Sequence, residues 1–284
     1  MTYTYTLGAA SEGSQMTIER KPVSTVAIVS GGMDSITLLH LLAGGEDDVH
    51  VLSFDYGQRH KKELEFARYH ADQFDFQHDI IDLSGITHLI SNSALTSGFH
   101  SPVAHTIDPS NYATYSVGEI EVPDGHYAEE SMKLTVVPNR NMMMLSIAAA
   151  VAVNEKADRV AIGVHAGDHF VYPDCRPDFI NAANLAIALG NEGFGTIPTD
   201  LGKRDYIGDV KVPKDLPEFV YAPFITKTKT DIANIGNVND VDWTKTWSCY
   251  KGGDKHCGTC GTCTERKEAL RDADAGWDPT EYEN

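Results

Sequence analysis

The apolar positions along the chain fall into two alternating periods. Val26, Ala27, Ile28 and Val29 form a short, largely β-branched run without alternation, the pattern of a strand buried on both faces of a parallel sheet. Behind it, Ile36, Leu38, Leu39, Leu41 and Leu42 recur at helical spacing until Gly44 and Gly45 stop them. A second strand is predicted over residues 49–54, a helix over 60–74 with Leu64, Ala67 and Phe74 inward, and a third strand over 76–83. Between residues 91 and 133 periodicity fails and Ser, Pro, Gly and His accumulate, which predicts a long surface excursion, a candidate lid. Pro138 precedes a helix predicted from Arg140 to about Lys156, residues 158–164 read as another core strand, and Pro177 opens a helix closing at Gly190. Residues 191–219, rich in Gly and Pro, are expected to be irregular. Strand and helix alternating at this spacing predict an α/β fold with a doubly wound parallel sheet. The expected division is a polar extension over 1–21, the α/β domain over 22–244 and a small C-terminal module over 245–284.

Length and charge narrow the class. A chain of 284 residues suits one large domain with a small appendage. It has no run of 18 apolar residues and no basic, apolar leader at its start, so a soluble, cytoplasmic protein with no membrane partner is expected. Met16 is an alternative start. The formal charge of −18, from 41 acidic against 23 basic residues, argues against a broad nucleic-acid-binding face, which needs clustered Lys and Arg. The same balance fits either a cytoplasm of very high salt or a merely acidic enzyme.

The candidate chemistry begins where the first strand meets its helix, at Ser30-Gly31-Gly32-Met33-Asp34-Ser35. A turn at the carboxyl end of a parallel strand leaves the first amides of the next helix pointing outward, where they favour an anion. Glycine admits a phosphate close to the backbone, and the two serine hydroxyls add donors without bulk. An ordinary tight turn uses the same residue types. However, the chain carries no Walker-type or G-x-G-x-x-G loop, so this is the phosphate cradle on offer.

Four of the five cysteines, Cys249, Cys257, Cys260 and Cys263, lie in one short C-terminal stretch. Two C-x-x-C pairs share Cys260, with glycines inside them, and gather three thiols around one point that Cys249 completes as a tetrahedron. A closed, structural Zn²⁺ site is expected. Disulfides do not suit a reducing compartment or so close a spacing. An iron–sulfur cluster is the rival, since C-x-x-C-x-x-C also opens ferredoxin-type sites, but here the fourth cysteine precedes the triplet and no proline follows it. His256 is expected to face solvent, and Cys175 to be a small buried hydrophobe rather than a nucleophile.

The loop S-G-G-M-D-S resembles that of the N-type ATP pyrophosphatases, which split ATP between its α and β phosphates. With Phe54–His60 (FDYGQRH), Val137–Asn141 (VPNRN), Tyr172–Arg176 (YPDCR) and the cysteine cluster in this order, the chain resembles the 7-cyano-7-deazaguanine synthase family over roughly residues 23–271. It departs from the family at Asn139, where glycine is usual, and in longer excursions. The resemblance implies conversion of 7-carboxy-7-deazaguanine, ammonia and ATP into the nitrile precursor of queuosine and archaeosine. It implies an ATP site of Val29, Ser30, Gly31, Gly32, Met33, Asp34, Ser35, Ile36, Thr37, Leu38 and Leu39, with Phe54 and the residues up to Gly57 bordering the adenine. It further implies catalytic roles for Asp34, on a Mg²⁺-bound water, for Arg140 and for Lys229 near the phosphates, with Gln58, Arg140, Asn141, Tyr172, Asp174 and Arg176 around the substrate. Taken by themselves, Asp34 suits a helix's first turn, Arg140 and Lys229 suit a solvated surface, and Arg59 and His60 suit an exposed one. The rival functions are an RNA-modifying ATP pyrophosphatase and a non-enzymatic nucleotide-binding zinc module. A homodimer is left open.

Overall fold

The computed structural model describes residues 22–90, 93–96, 120–126, 130–202 and 216–283, with the backbone course of 2–5, 16–19, 204–207 and 210–213. Five strands make the central sheet: β1 (Ser24–Ile28), β2 (Asp48–Asp55), β3 (Gln77–Asp82), β4 (Arg159–Ile162) and β5 (Val220–Tyr221). Their order is β3-β2-β1-β4-β5, and every pair is parallel. The chain winds outward from β1 in one direction and then returns to add β4 on the other side. The crevice above the β1/β4 junction is therefore the topological switch point, where open α/β sheets bind ligands.

Residue alternation along β1 assigns its two faces. Val26 and Ile28 face a core built with Leu145, Ala148 and Ala152 of α3 (Arg140–Glu155) and Ile180, Ala183 and Ile187 of α4 (Pro177–Gly190). Ala27 and Val29 face the opposite core, with Ile36, Leu39 and Leu42 of α1 (Met33–Gly44), Ala67 and Ala71 of α2 (Glu63–Gln73), and Ile232 and Ala233 of α5 (Lys229–Val238). Helix α6 (Gly261–Asp272), which follows the cysteines, adds Ala269 and Leu270 to this second core. The paired layers explain why β1 reads as continuous apolar sequence.

The predicted elements are present, with shifts at their ends, and the differences have local causes. Helix α2 begins at Glu63 rather than at residue 60, because 59–62 form a turn. Inside the stretch expected to be irregular, Arg204–Ile207 pairs antiparallel with Val210–Pro213, and β5 follows. A strand of two residues has no period to recognise. Thr2–Tyr5 likewise pairs antiparallel with Met16–Glu19, within the segment read as a polar extension. The proposed lid lies mostly outside the described residues. Of its described pieces, 120–126 docks on the cysteine turn: Gly125 N donates to Thr259 O (3.1 Å), and Asp124 Oδ1 accepts from Thr259 Oγ1 and Lys251 Nζ, each at 2.6 Å.

Candidate active site

The loop between β1 and α1 is shaped by its own serines. Ser35 Oγ accepts from the amides of Ser30 (3.2 Å) and Gly31 (3.1 Å) and donates to Gly32 O (3.1 Å), while Ser30 Oγ accepts from Gly32 N (3.3 Å). Gly32 caps α1 without a side-chain hydrogen bond, and the first intrahelical bond runs from Ile36 N to Gly32 O. The first-turn amides of α1 therefore have no intrahelical acceptor and point at the crevice. Gly31 adopts φ +101°, and a Cβ there would lie 1.8 Å from Glu63 O. This loop and the start of α2 are packed backbone to backbone.

Beside the loop lies a compact charge cluster. Thr228 and Asp231 form a capping box at the start of α5, which fixes the direction of Lys229. Lys229 Nζ reaches Asp34 Oδ2 at 2.6 Å and Glu265 Oε2 at 3.4 Å, so it is no solvated surface group. Burial pulls against the Lys229 ammonium, but Asp34 and Glu265 outweigh it and raise its pKa. Burial likewise opposes the Asp34 charge, and Lys229 and His165 more than offset it, holding the carboxyl below its ordinary value. Glu265, the more distant partner, is pushed up by burial despite Lys229. His165 is fully buried; its Nδ1 lies 3.1 Å from Gly167 N, and its Nε2 stands 3.5 Å from Asp168 Oδ2 and 3.7 Å from Asp34 Oδ2. Asp34 Oδ1 is buried and has no hydrogen-bond partner.

The other end of the cavity belongs to α3 and its neighbours. Asn139 precedes Arg140 at φ +58°, the left-handed conformation that glycine, or asparagine at small cost, can hold. Arg140 faces the cavity, with its Nη1 donating to Tyr56 Oη at 3.5 Å and its guanidinium 5.6 Å above the Tyr172 ring. Among the described residues it makes no ion pair. Tyr172 Oη is fixed by Thr135 Oγ1 at 2.6 Å. Asn141 lines the cavity and is held by Asp174, whose Oδ2 accepts from Asn141 N (3.1 Å) and whose backbone O accepts from Asn141 Nδ2 (3.0 Å). Cys175 is buried, accepts from Asn141 Nδ2 (3.3 Å), and burial pushes its thiol far up, which excludes a thiolate nucleophile.

Of the residues singled out in the sequence, the cavity gathers Val29, Ser30, Gly32, Met33, Asp34, Ser35, Phe54, Arg140, Asn141, Tyr172 and Lys229. Others stand behind it. Gly31 supports the loop from below, and Ile36, Leu38 and Leu39 are fully buried in the helix core, while Thr37 donates back to Met33 O (2.9 Å). Gln58 is buried and bonds Phe54 O and Glu63 Oε1, Asp174 acts through Asn141, and Arg176 is exposed and donates to His169 O. Tyr56, within the Phe54–Gly57 stretch expected at the adenine, lines the cavity as well. Sequence reasoning missed Glu63, His165, Asp168, Trp247, Ser248, Tyr250, Thr262 and Glu265, of which Glu63, three residues past FDYGQRH, carried a local signal.

The four thiols converge next to this cavity. Their sulfurs all lie within 4.8 Å of one another, with Cys257 and Cys263 3.9 Å apart. Four thiolates on one Zn²⁺ at about 2.3 Å stand nearly 4 Å from each other, whereas a four-iron cluster holds its thiolates on separate irons and further apart. The donor set fits a single tetrahedral ion. Amides of Cys257, Thr259 and Cys260 point at Cys249 or Cys257 sulfur at 3.3 to 3.5 Å. His256 is not solvent-facing: it is buried, its Nε2 accepts from Ser248 N (3.1 Å), and its ring lies 4.4 Å from that of Trp247. His60 is buried as well, 3.4 Å from Glu63 Oε1.

Sheet order, crevice and loop together define an open, doubly wound α/β protein with a serine- and glycine-lined loop at its switch point and a cluster of four thiols, able to hold a metal ion, at the crevice's rim. A family model described as "Queuosine biosynthesis protein QueC" matches residues 24–274, and the chain belongs to that family. Curated relatives agree. A 7-cyano-7-deazaguanine synthase of Rhizobium rhizogenes is 42% identical over 262 residues, covering 92% of this chain and 93% of its own. Those of Rhizobium meliloti and Brucella ovis are each 44% identical over 262 residues, covering 92% of this chain and 93% and 94% of theirs. No helix among the described residues is long and apolar enough to cross a membrane.

Proposed function

We propose that this chain makes 7-cyano-7-deazaguanine, the product its relatives' name gives for them, from 7-carboxy-7-deazaguanine and ammonia at the expense of ATP. The observation that carries this reading is Arg140: a guanidinium with no ion-pair partner among the described residues, facing the same cavity as the Ser30–Ser35 loop, suits an anionic substrate beside a nucleotide. The substrate carboxylate attacks the α-phosphorus of ATP and pyrophosphate leaves, held by the first-turn amides of α1, the Ser30 hydroxyl and the Lys229 ammonium. Ammonia then adds to the activated carbon and AMP departs, giving the amide. The amide oxygen is adenylated in turn, and loss of AMP and protons leaves the nitrile. ATP reaches such sites as its Mg²⁺ complex, and Asp34 Oδ1, buried and unpartnered, fits a water of that ion. Zn²⁺ at the four thiols has a structural part, holding one wall of the cavity. On this reading the substrates are small molecules and no nucleic acid is bound directly.

Product mass spectrometry tests the reading. With ATP, Mg²⁺ and ammonia the acid yields the nitrile, and the amide yields it without ammonia. Arg140→Ala lowers kcat/KM on the acid by at least roughly tenfold more than on the amide, because only the acid carries the charge that Arg140 meets. Equal losses place Arg140 on a phosphate. If neither compound yields the nitrile, the reading fails and RNA-directed chemistry is the one to examine.

A further inference from the structure

The chemistry above leaves one buried carboxyl of the cavity unused. Glu63 opens α2, is only 6% exposed, and lines the cavity together with Tyr56, His60, Arg140 and Tyr250. Its orientation is fixed. Gln58 Nε2 donates to Glu63 Oε1 at 3.2 Å and to Phe54 O at 3.0 Å, while Gly31 is wedged against Glu63 O from the other side. Gln58 and His60, the latter at 3.4 Å, both approach Oε1, so Oε2 keeps both of its acceptor directions among the described residues and the carboxyl edge stays open to a ligand.

Resting on the reading above, the geometry points to Glu63 as the residue that accepts hydrogen bonds from the N1–H and 2-amino group of the 7-deazaguanine ring and so selects that base. The ring carries these two parallel donors on one edge, and a carboxylate carries two coplanar acceptors at matching separation. Adenine offers a donor beside an acceptor on its corresponding edge, which an ionised carboxylate does not match. The groups around the carboxyl fit a site waiting for donors. Burial pushes Glu63 up to about 8, with Gln58 and Arg140 pulling back, and burial pushes His60 down to about 3, so that the two meet as neutral groups at pH 7. Tyr56 is pushed up to about 12 and stays neutral as well. Two ligand donors favour the ionised form, so base binding expels a proton from Glu63.

The experiment compares 7-carboxy-7-deazaguanine with the analogue lacking the 2-amino group, in the wild-type protein and in Glu63→Gln. The wild type prefers the natural acid in kcat/KM by about 10- to 100-fold, the range expected for one hydrogen bond to a charged group. In Glu63→Gln the KM for the acid rises about tenfold or more, the preference collapses to within about threefold, and KM for ATP stays within about twofold. A second readout needs no variant: calorimetry in two buffers of different ionisation heat shows release of about one proton when wild-type protein binds the acid at pH 7, and none well above pH 8. Preference retained in Glu63→Gln, a loss that falls on ATP, or binding without proton release overturns the assignment. Failure of the wild type to turn over either compound is a different result and removes the functional reading itself.

Discussion

Two neighbouring glycines in the loop do different jobs. A Cβ on Gly31 would overlap Glu63 O at 1.8 Å from a backbone at φ +101°, whereas a Cβ on Gly32 would meet nothing in the protein closer than Ser30 Oγ at 3.4 Å. Gly31→Ala is therefore expected to lower stability by about 2 kcal/mol or more, from strain and backbone overlap. Gly32→Ala is expected to leave the melting temperature nearly unchanged and, on the proposed reading, to weaken ATP binding by filling space meant for a phosphate. Thermal melts and ATP titrations of both variants separate the two; equal melting temperatures, or undiminished ATP affinity in Gly32→Ala, would contradict the division. Glu63 and pH give a second residue-scale expectation. Its folded-state value of about 8 lies above the ordinary 4.5, so its contribution to stability is whole below pH 4.5 and is lost as pH rises through 8. Between pH 6 and 8 the wild type should lose about 1 kcal/mol per pH unit that Glu63→Gln does not lose, measured by urea unfolding.

Among the elements, the C-terminal module is bound to the site more intimately than a distant clamp. Cys260 caps α6, Cys263 lies in its first turn, and Glu265 reaches Lys229 from the next positions. Arg266, fully buried, donates to Trp243 O (2.7 Å), Thr246 Oγ1 (2.7 Å), Ser248 Oγ (3.2 Å) and Thr280 Oγ1 (2.8 Å), tying the segment before the cysteines to the one after them. Cys260→Ser, or removal of the metal by a chelator, is therefore expected to expose Trp247, shift its fluorescence to the red, and abolish turnover along with stability. Full activity in metal-free protein would contradict this. The strands β1 and β2 and helix α1 were legible in sequence because each is a local pattern: an apolar run or a 3.6-residue spacing. His165, Glu265 and Tyr250 were not. Each stands on a different element, and only the parallel sheet order and the fold of the cysteine turn bring them to one crevice. His256 was misjudged for a related reason: proximity to Cys257 in sequence says nothing of Trp247, against which its ring packs.

At the scale of the whole molecule, the net charge of −18 acts through self-repulsion rather than through any one contact. Between roughly 0.05 and 1 M KCl the screening length falls from above 10 Å to about 3 Å, and the melting temperature is expected to rise by several degrees. A flat or falling curve would assign the acidic balance no stabilising link to salt. The position of Trp247, Ser248, Tyr250 and Thr262 on the cavity wall has a further consequence, in time rather than in space. A ribosome delivers the Ser30–Ser35 loop early and this wall late, so the growing chain carries a half-built crevice until Cys249 to Cys263 emerge, four thiols that could close on a metal ion. On the proposed reading, a message cut short before Cys249 yields no partly active product. If the ion is Zn²⁺, then in a cell starved of zinc its supply rather than the number of chains made sets how much working protein there is.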